Sequence, residues 1–356
     1  MKIKFLKALN GDSILLSFKD GDKDRNILID SGNGHAYYNR STNTDGDLKL
    51  EIDSIKNKKE FIDLLILTHI DNDHICGLIE WFRRDKEAYK LIKNIWFNSG
   101  KSIAKHLNEP ENIDLNVELD IFTDPKTGVN EAIEFENFLE GKGIWNKKIV
   151  LQGVDINKHG IKIQVLSPEE SQLRRLLKEY KKATGDHTYT APKEKDWNRN
   201  IKSFIEEENQ NTFTFEQDAS VKNGSSISFI LTFKEKNFLF LGDSHPKGIV
   251  EYLKKLGASK ENPIQVELFK VSHHGSKGNT NKELLDIIKA DNYFISTDST
   301  GHNHPNKRTL ARIINANPNA TFHFNYEHVR NEVFSIQDRI DFTINARVTP
   351  ELNFDL

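Results

Sequence analysis

Four side chains able to hold a cation or move a proton fall within six residues of the stretch Thr68-His69-Ile70-Asp71-Asn72-Asp73-His74-Ile75-Cys76-Gly77, spaced His-x-Asp-x-Asp-His. Neutral imidazole and carboxylate both suit zinc, and the carboxylates also admit manganese. In an extended or tightly turned segment, residues 69, 71 and 73 point to one side and 74 to the other, so such a loop can face two metal ions at once. The competing explanation is a polar loop that caps a helix, with Asn72 or Asp73 as N-cap. Two histidines and two aspartates clustered directly behind an apolar strand are rare in capping loops, and metal binding accounts for them better.

Three further segments repeat one design: a strand, a ligand-type residue, then a turn of small residues. Phe238-Leu239-Phe240-Leu241-Gly242-Asp243-Ser244 places a carboxylate where it can bridge two cations. Lys270-Val271-Ser272-His273-His274-Gly275-Ser276 carries adjacent imidazoles. On a strand end these face opposite ways, so one is expected to face the site and the other to support it or meet substrate. His302-Asn303-His304-Pro305 follows the strand that ends at Ser296-Thr297-Asp298; a surface-loop role competes more strongly for His302 than for His304.

The elements that must position these groups read as follows. Ile14–Phe18 and Asn26–Asp30 flank the turn Lys19–Lys23 and predict a hairpin. Asp63–Thr68 is an apolar run of the kind buried on both faces of a sheet. Helical periodicity is predicted over Leu78–Ile92, Glu131–Leu139, Glu169–Lys182 and near Asn281–Lys289. Strands are predicted at Asn94–Phe97, Ile161–Leu166, Ser226–Phe233, Asn237–Leu241, Glu267–Val271, Tyr293–Ser296, Thr321–Asn325 and within Asp341–Val348. Between 169 and 222 Lys, Glu, Asn and Thr dominate, and beyond the helix Glu169–Lys182 the rest reads as an exposed insertion.

Composition sets outer limits. The chain has 356 residues and a net charge of −3, which gives no global basic field for indiscriminate adhesion to nucleic acid or anionic membrane. A single cysteine excludes an internal disulfide framework and a Cys-rich zinc module, and fits a reducing compartment. The N-terminus has no apolar signal-peptide core and the longest apolar runs are far short of the ~20 residues needed to span a bilayer, so a cytoplasmic location is expected. The thirteen histidines are the compositional oddity.

Taken as a set and in this order, the motifs resemble the metallo-β-lactamase-fold hydrolases, most closely the soluble ComEC-type branch named after the competence DNA-uptake protein. The resemblance rests on Gly11-Asp12-Ser13-Ile14-Leu15, Leu28-Ile29-Asp30-Ser31-Gly32, residues 69–77, Asn223 to Asp243, 271–276 and 303–305. It covers residues 3 to about 320. It implies an α/β fold, a four-layer αββα sandwich, over residues 1–320, with polar insertions at about 99–150 and 169–222 and a β-rich C-terminal extension over 321–356. It further implies two divalent ions, zinc or manganese. His69 and Asp71 would hold one, Asp73 and His74 the other, Asp243 would bridge, and His304 with one of His273 or His274 would complete the shells. Asp71 stands where the commoner superfamily pattern has histidine. The middle histidine expected between 74 and 243 has no match, since His159 and His187 read as surface residues.

Two cations a few Å apart lower the pKa of a bridging water and clamp the oxygens of an ester. Asp73 would ligate and orient that water, His273 or His274 would donate to the oxyanion or leaving group, and Asp30 would steady the ligand loop by hydrogen bonds. Cys76 reads as a small buried side chain, Lys277 as a solvated lysine, and Ser225 and Ser226 as turn or substrate-contact residues. The expected function is a phosphodiesterase or nuclease. Two others compete: a hydrolase of a small ester, lactone or nucleotide, and a metal-binding effector subunit that docks a protein partner through its insertions. The stretch Lys178–Lys182 to Lys193–Lys195, with Tyr189 and Trp197, offers a modest basic face for nucleic acid, although a solvated helix face explains it better.

Overall fold

The computed structural model describes residues 1–110, 128–182 and 194–354. Its strands form two main sheets. The first contains β1 (Lys2–Phe5), β2 (Ile14–Asp20), β3 (Lys23–Ile29), β4 (Ile62–Ile66) and β5 (Ile95–Trp96). The second contains β6 (Asp155–Lys158), β7 (Ile161–Ser167), β8 (Ser228–Phe233), β9 (Lys236–Phe240), β10 (Leu268–Lys270), β11 (Asn292–Ile295), β12 (Thr321–Phe324) and β13 (Asn345–Val348), and β14 (Glu351–Asn353) returns to the first. The six-stranded sheet runs β14-β1-β2-β3-β4-β5 and the eight-stranded sheet β13-β12-β11-β10-β9-β8-β7-β6.

Strand alternation explains the layering. Ile14 and Leu16 on β2, Ile27 and Ile29 on β3, Phe229 and Leu231 on β8, and Phe238 and Phe240 on β9 meet in one cluster between the sheets. The intervening residues turn outward: Leu15, Leu28 and Leu65 pack under one set of helices, and Ile230, Leu239 and Phe269 under the other. Three apolar layers separate helix, sheet, sheet and helix, which is the four-layer αββα sandwich. Residues 321–354 contribute strands to both sheets, with helices Glu327–Glu332 and Ile336–Asp341 between them.

Two expectations need correction. The helix read as Leu78–Ile92 is Asn72–Arg84, so it begins inside the ligand loop, and Asp73 and His74 lie on its first turn. It stops at Arg84 because Asp85 takes an extended backbone (φ −120°, ψ 100°). The helix Glu170–Lys182, expected within the polar stretch, packs inward, with Leu173, Leu176, Leu177 and Tyr180 in the core beneath the first sheet's helices. Trp197 is buried and donates from Nε1 to the Pro305 carbonyl at 2.7 Å, so it offers no face for a base. His187, Tyr189 and Lys193 lie outside the described residues. Among the described residues no helix is long and apolar enough to cross a membrane.

Candidate metal centre

β3 runs parallel to β4, and β9, β10 and β11 run parallel to one another. Parallel strands deliver their C-terminal ends to one edge, where open sheets of this kind bind ligands. Asp30 follows β3, His69 follows β4, Asp243 follows β9, His273 and His274 follow β10, and His304 lies in the loop beyond β11.

Asp243 is the centre. Its Oδ2 lies 3.8 Å from His69 Nε2, 3.5 Å from His74 Nε2, 3.8 Å from His273 Nε2 and 3.6 Å from His274 Nε2. Burial alone would raise the Asp243 carboxyl, but the imidazoles of His274, His74 and His273 hold it well below its ordinary value. Gly242 turns the chain at φ +52°, where a side chain would crowd Thr68 at 3.1 Å. Ser226 Oγ accepts the Asp243 backbone N–H at 3.2 Å, a positioning role for a residue whose function sequence left open.

His273 and His274 do not alternate as strand residues do. Both take left-handed backbone angles (φ 48° and 52°), so both Nε2 atoms converge on Asp243. For non-glycine residues that geometry costs about 1–3 kcal/mol each and marks functional sites. His274 is fully buried and its Nδ1 lies 2.8 Å from the Ser296 carbonyl. His273 keeps 19% of its side chain exposed. Its Nδ1 faces Asp218 Oδ2 at 3.3 Å and Asn279 Oδ1 at 3.1 Å.

Asp30 stands behind His74, with Oδ2 2.8 Å from Nδ1, and accepts the Thr68 N–H at 2.7 Å and hydroxyl at 2.6 Å. Burial pulls the His74 imidazole down, but Asp243 and Asp30 outweigh it and hold the imidazole well above its ordinary value. Burial likewise opposes the His274 cation, yet Asp243, Asp12 and Asp73 push it up to about 9. Asp73 Oδ1 is 4.0 Å from His74 Nε2, its Oδ2 is 3.6 Å from His274 Nε2, and Asn10 Nδ2 donates to Oδ2 at 2.8 Å. Gly11 presses on the Asp73 backbone so closely that a Cβ there would meet the Asp73 carbonyl oxygen at 1.7 Å.

Asp71 is the helix N-cap by position, yet its side chain caps nothing. Its Oδ2 lies 3.6 Å from His69 Nε2 and its Oδ1 is ion-paired with Lys222. His304 stacks edge-on against His273 at 4.8 Å between ring centroids, and burial with the neighbouring imidazoles holds it well below its ordinary pKa. His302 is exposed, with its ring 6.1 Å from His304. His159 faces Asp20 at 3.3 Å, on the β6–β7 turn.

Buried Nε2 atoms of His69, His74 and His274, and Oδ1 of Asp243, have no hydrogen-bond partner. Such atoms are costly unless something else meets them. Donors on a tetrahedral ion, at bond lengths of about 2.0–2.2 Å, stand about 3.3–3.6 Å apart. His74 and His274 match that spacing to Asp243, and His274 matches it to Asp73, while Asp73 stands 4.0 Å from His74. Asp12, His74, Asp243 and His274 also bring one donor atom each within 4.8 Å of one another. Asp12, however, spends Oδ2 on Lys270 and meets His274 at Nδ1 (3.4 Å), on the far side of the ring from Asp243. It is therefore a positioning carboxylate. Sequence reasoning quoted Asp12 in a motif without giving it a role, and it missed Asn10, Asp218 and Lys222. Only Asp12 carried a signal, as the acidic residue in Gly-Asp before a strand.

A family model of the metallo-beta-lactamase superfamily matches residues 6–298. ComE operon protein 3 of Bacillus subtilis (strain 168) is 25% identical over 132 residues, 35% of this chain and 16% of that protein, so the match spans a small part of that relative's length. YhfI of Bacillus subtilis, a metallo-beta-lactamase fold protein, aligns over 98% of this chain and 96% of its own at 10% identity, with a TM-score of 0.41. An isothiocyanate hydrolase from Delia radicum gut bacteria aligns over 99% of both chains at 14% identity, also with a TM-score of 0.41.

Proposed function

From the premise that this chain belongs to the metallo-beta-lactamase superfamily, whose members are mostly metal-dependent hydrolases, we propose that it hydrolyses phosphodiesters, with nucleic acid as the substrate class. The observation that carries the hydrolase reading is the pocket of orphaned imidazole nitrogens around Asp243. The likeness to ComE operon protein 3 over 132 residues supports the competence-type branch and hence the nucleic-acid class. His74, His274, Asp73 and Asp243 would hold a divalent ion, zinc or manganese. When bound, such an ion supplies Lewis acidity toward a phosphoryl oxygen and lowers the pKa of water.

The chain's own groups do the rest. Asp30 and the Ser296 carbonyl hold the two imidazoles by Nδ1, which fixes the tautomer and turns Nε2 into the pocket. Asn10 fixes Asp73, whose carboxylate can take a proton from an attacking water. His273, the more exposed of the adjacent pair, has Nε2 at the pocket and Nδ1 against Asp218, and donates its Nε2 proton to the leaving oxygen. His304 packs on that ring and keeps it in place.

The test is incubation of the purified chain with single- and double-stranded DNA and RNA, and with bis-p-nitrophenyl phosphate, in added manganese or zinc. Metal-dependent cleavage that Asp73→Ala abolishes is expected. Absence of cleavage of every diester, or cleavage equal in Asp73→Ala, overturns the proposal. Cleavage of bis-p-nitrophenyl phosphate alone rejects the nucleic-acid class while keeping the diesterase.

A further inference from the structure

The two halves of the centre are unequally furnished. On one side His74 and His274 each turn a donor toward Asp243, and Asp73 turns its oxygens toward those two imidazoles. On the other side stand His69 and Asp71, and Asp71 is already engaged: its Oδ1 is ion-paired with Lys222 Nζ, while its Oδ2 is 3.6 Å from His69 Nε2. A third donor on that side has no candidate among the described histidines between His74 and Asp243. His106 faces Glu170 at 3.5 Å and His159 faces Asp20 at 3.3 Å.

Lys222 is built in rather than draped over the surface. It lies on the short helix Val221–Gly224, whose N-cap Ser220 accepts the Asn223 N–H. Ser225 Oγ donates to the Lys222 carbonyl at 2.6 Å, and the next residue, Ser226, holds the Asp243 backbone. Asp218, four residues before Lys222, accepts from Asn223 Nδ2 at 2.7 Å and faces His273. The segment that carries the ammonium is thus tied to the same loop that carries the imidazoles. Two-thirds of the lysine side chain is buried, with 33% exposed. Paired with Asp71, the side chain presents a compact ammonium to that half of the centre.

We propose that Lys222 is the second cation of this centre: its ammonium takes the half formed by His69 and Asp71, and the chain binds a single divalent ion at His74, His274, Asp73 and Asp243. A divalent ion between His69 and Asp71 would lie against a like charge in a partly buried site and compete for a carboxylate already neutralised. A fixed ammonium can also meet a phosphoryl oxygen as a point charge, so the two-cation clamp is kept with one cation covalently attached. The inference rests on the metal-hydrolase reading above.

Metal content settles it without an activity assay. Wild type, Lys222→Ala and Lys222→His are saturated with manganese or zinc, dialysed, and read by elemental analysis and native mass spectrometry. Circular dichroism serves as the folding check. One ion per chain is expected in the wild type and two in both variants, and Asp73→Asn, which strips the intact half, should leave the wild-type background with none. Two ions in the wild type overturn the role of Lys222 whatever the variants do, so the test does not depend on their folding. One ion in the wild type and one in folded variants overturns it as well. No ion in the wild type removes the metal-hydrolase reading and this inference together.

Discussion

Two buried lysine–aspartate pairs lie in different parts of the molecule and have opposite surroundings. Lys307 and Asp338 join the helix Lys307–Ala316 to the capping box at Ser335. Lys307 Nζ donates to Asp338 Oδ2 at 2.8 Å and to the Trp197 carbonyl at 2.5 Å. Asp338 accepts from Ile201 N at 2.7 Å on Oδ1, and from Ser335 N at 2.9 Å and Oγ at 2.8 Å on Oδ2. Each polar side-chain atom of the pair has a partner. Lys270 and Asp12, below the candidate metal centre, are as deeply buried, yet Lys270 stands 4.0 Å from Asp243 Oδ1, which has no hydrogen-bond partner. A closed polar network specifies a fold, whereas an open one keeps bonding capacity for a ligand. The histidines repeat the contrast. His323 on β12 has Nδ1 3.1 Å from Thr349 Oγ1 and Nε2 2.9 Å from Asn292 Oδ1, whereas Nε2 of His69, His74 and His274 is orphaned.

If this contrast is right, perturbing the open network changes metal and activity, and perturbing the closed one changes stability alone. The largest effect is expected for Asp243→Asn. Losing the shared carboxylate removes bound metal and several kcal/mol of transition-state stabilisation, a rate loss of about 10³-fold or more, with little change in the urea midpoint. Metal analysis beside a hydrolysis assay checks this, and retained metal would break the comparison at its centre. Next comes Lys307→Met, which leaves Asp338 buried and uncompensated. Unfolding free energy, read by urea titration, should fall by about 3–5 kcal/mol with metal content unchanged.

Asp30→Asn is a smaller, sharper probe. It weakens the bond behind His74 while keeping the Thr68 N–H contact on Oδ1, so metal affinity should drop about 10–100-fold by titration calorimetry with only a minor shift in thermal midpoint. Smallest is the closed imidazole. Burial and then Arg347 lower His323 to about 4 in the folded chain, against an ordinary value of about 6.5. The unfolded chain therefore takes up a proton first. The associated stability is complete above pH 6.5 and declines as pH falls toward 4, reaching a loss of about 1.4 kcal/mol at pH 5.5. In His323→Gln that part of the acid limb should flatten while metal content at pH 7.5 stays constant. An unaltered acid limb would remove His323 from the account.

Much of this was legible in the chain. His69, Asp71, Asp73, His74, Asp243, His273 and His274 all converge on one sheet edge, because each follows an apolar run that sequence reads as a strand and parallel strands end together. Reading the adjacent histidines by strand alternation failed, since the chain leaves β10 at Lys270 and passes into left-handed angles at His273 and His274. Lys222 and Asp218 were invisible for a different reason. They sit in a polar stretch whose composition reads as surface, and nothing local tells a solvated lysine from one folded back onto a carboxylate 151 positions away in Asp71.

By itself the sequence determined the donors and their order: residue types fix which atoms can bind a cation, and hydrophobic periodicity fixes which segments become the strands that carry them. Tertiary structure decided which of those atoms remain unpartnered. Hydrogen-bond satisfaction depends on what distant segments bring to each buried group. That is why Asp338 is closed by Lys307 and Ile201, Asp71 is met by Lys222, and the nitrogens of His74 and His274 are left facing Asp243.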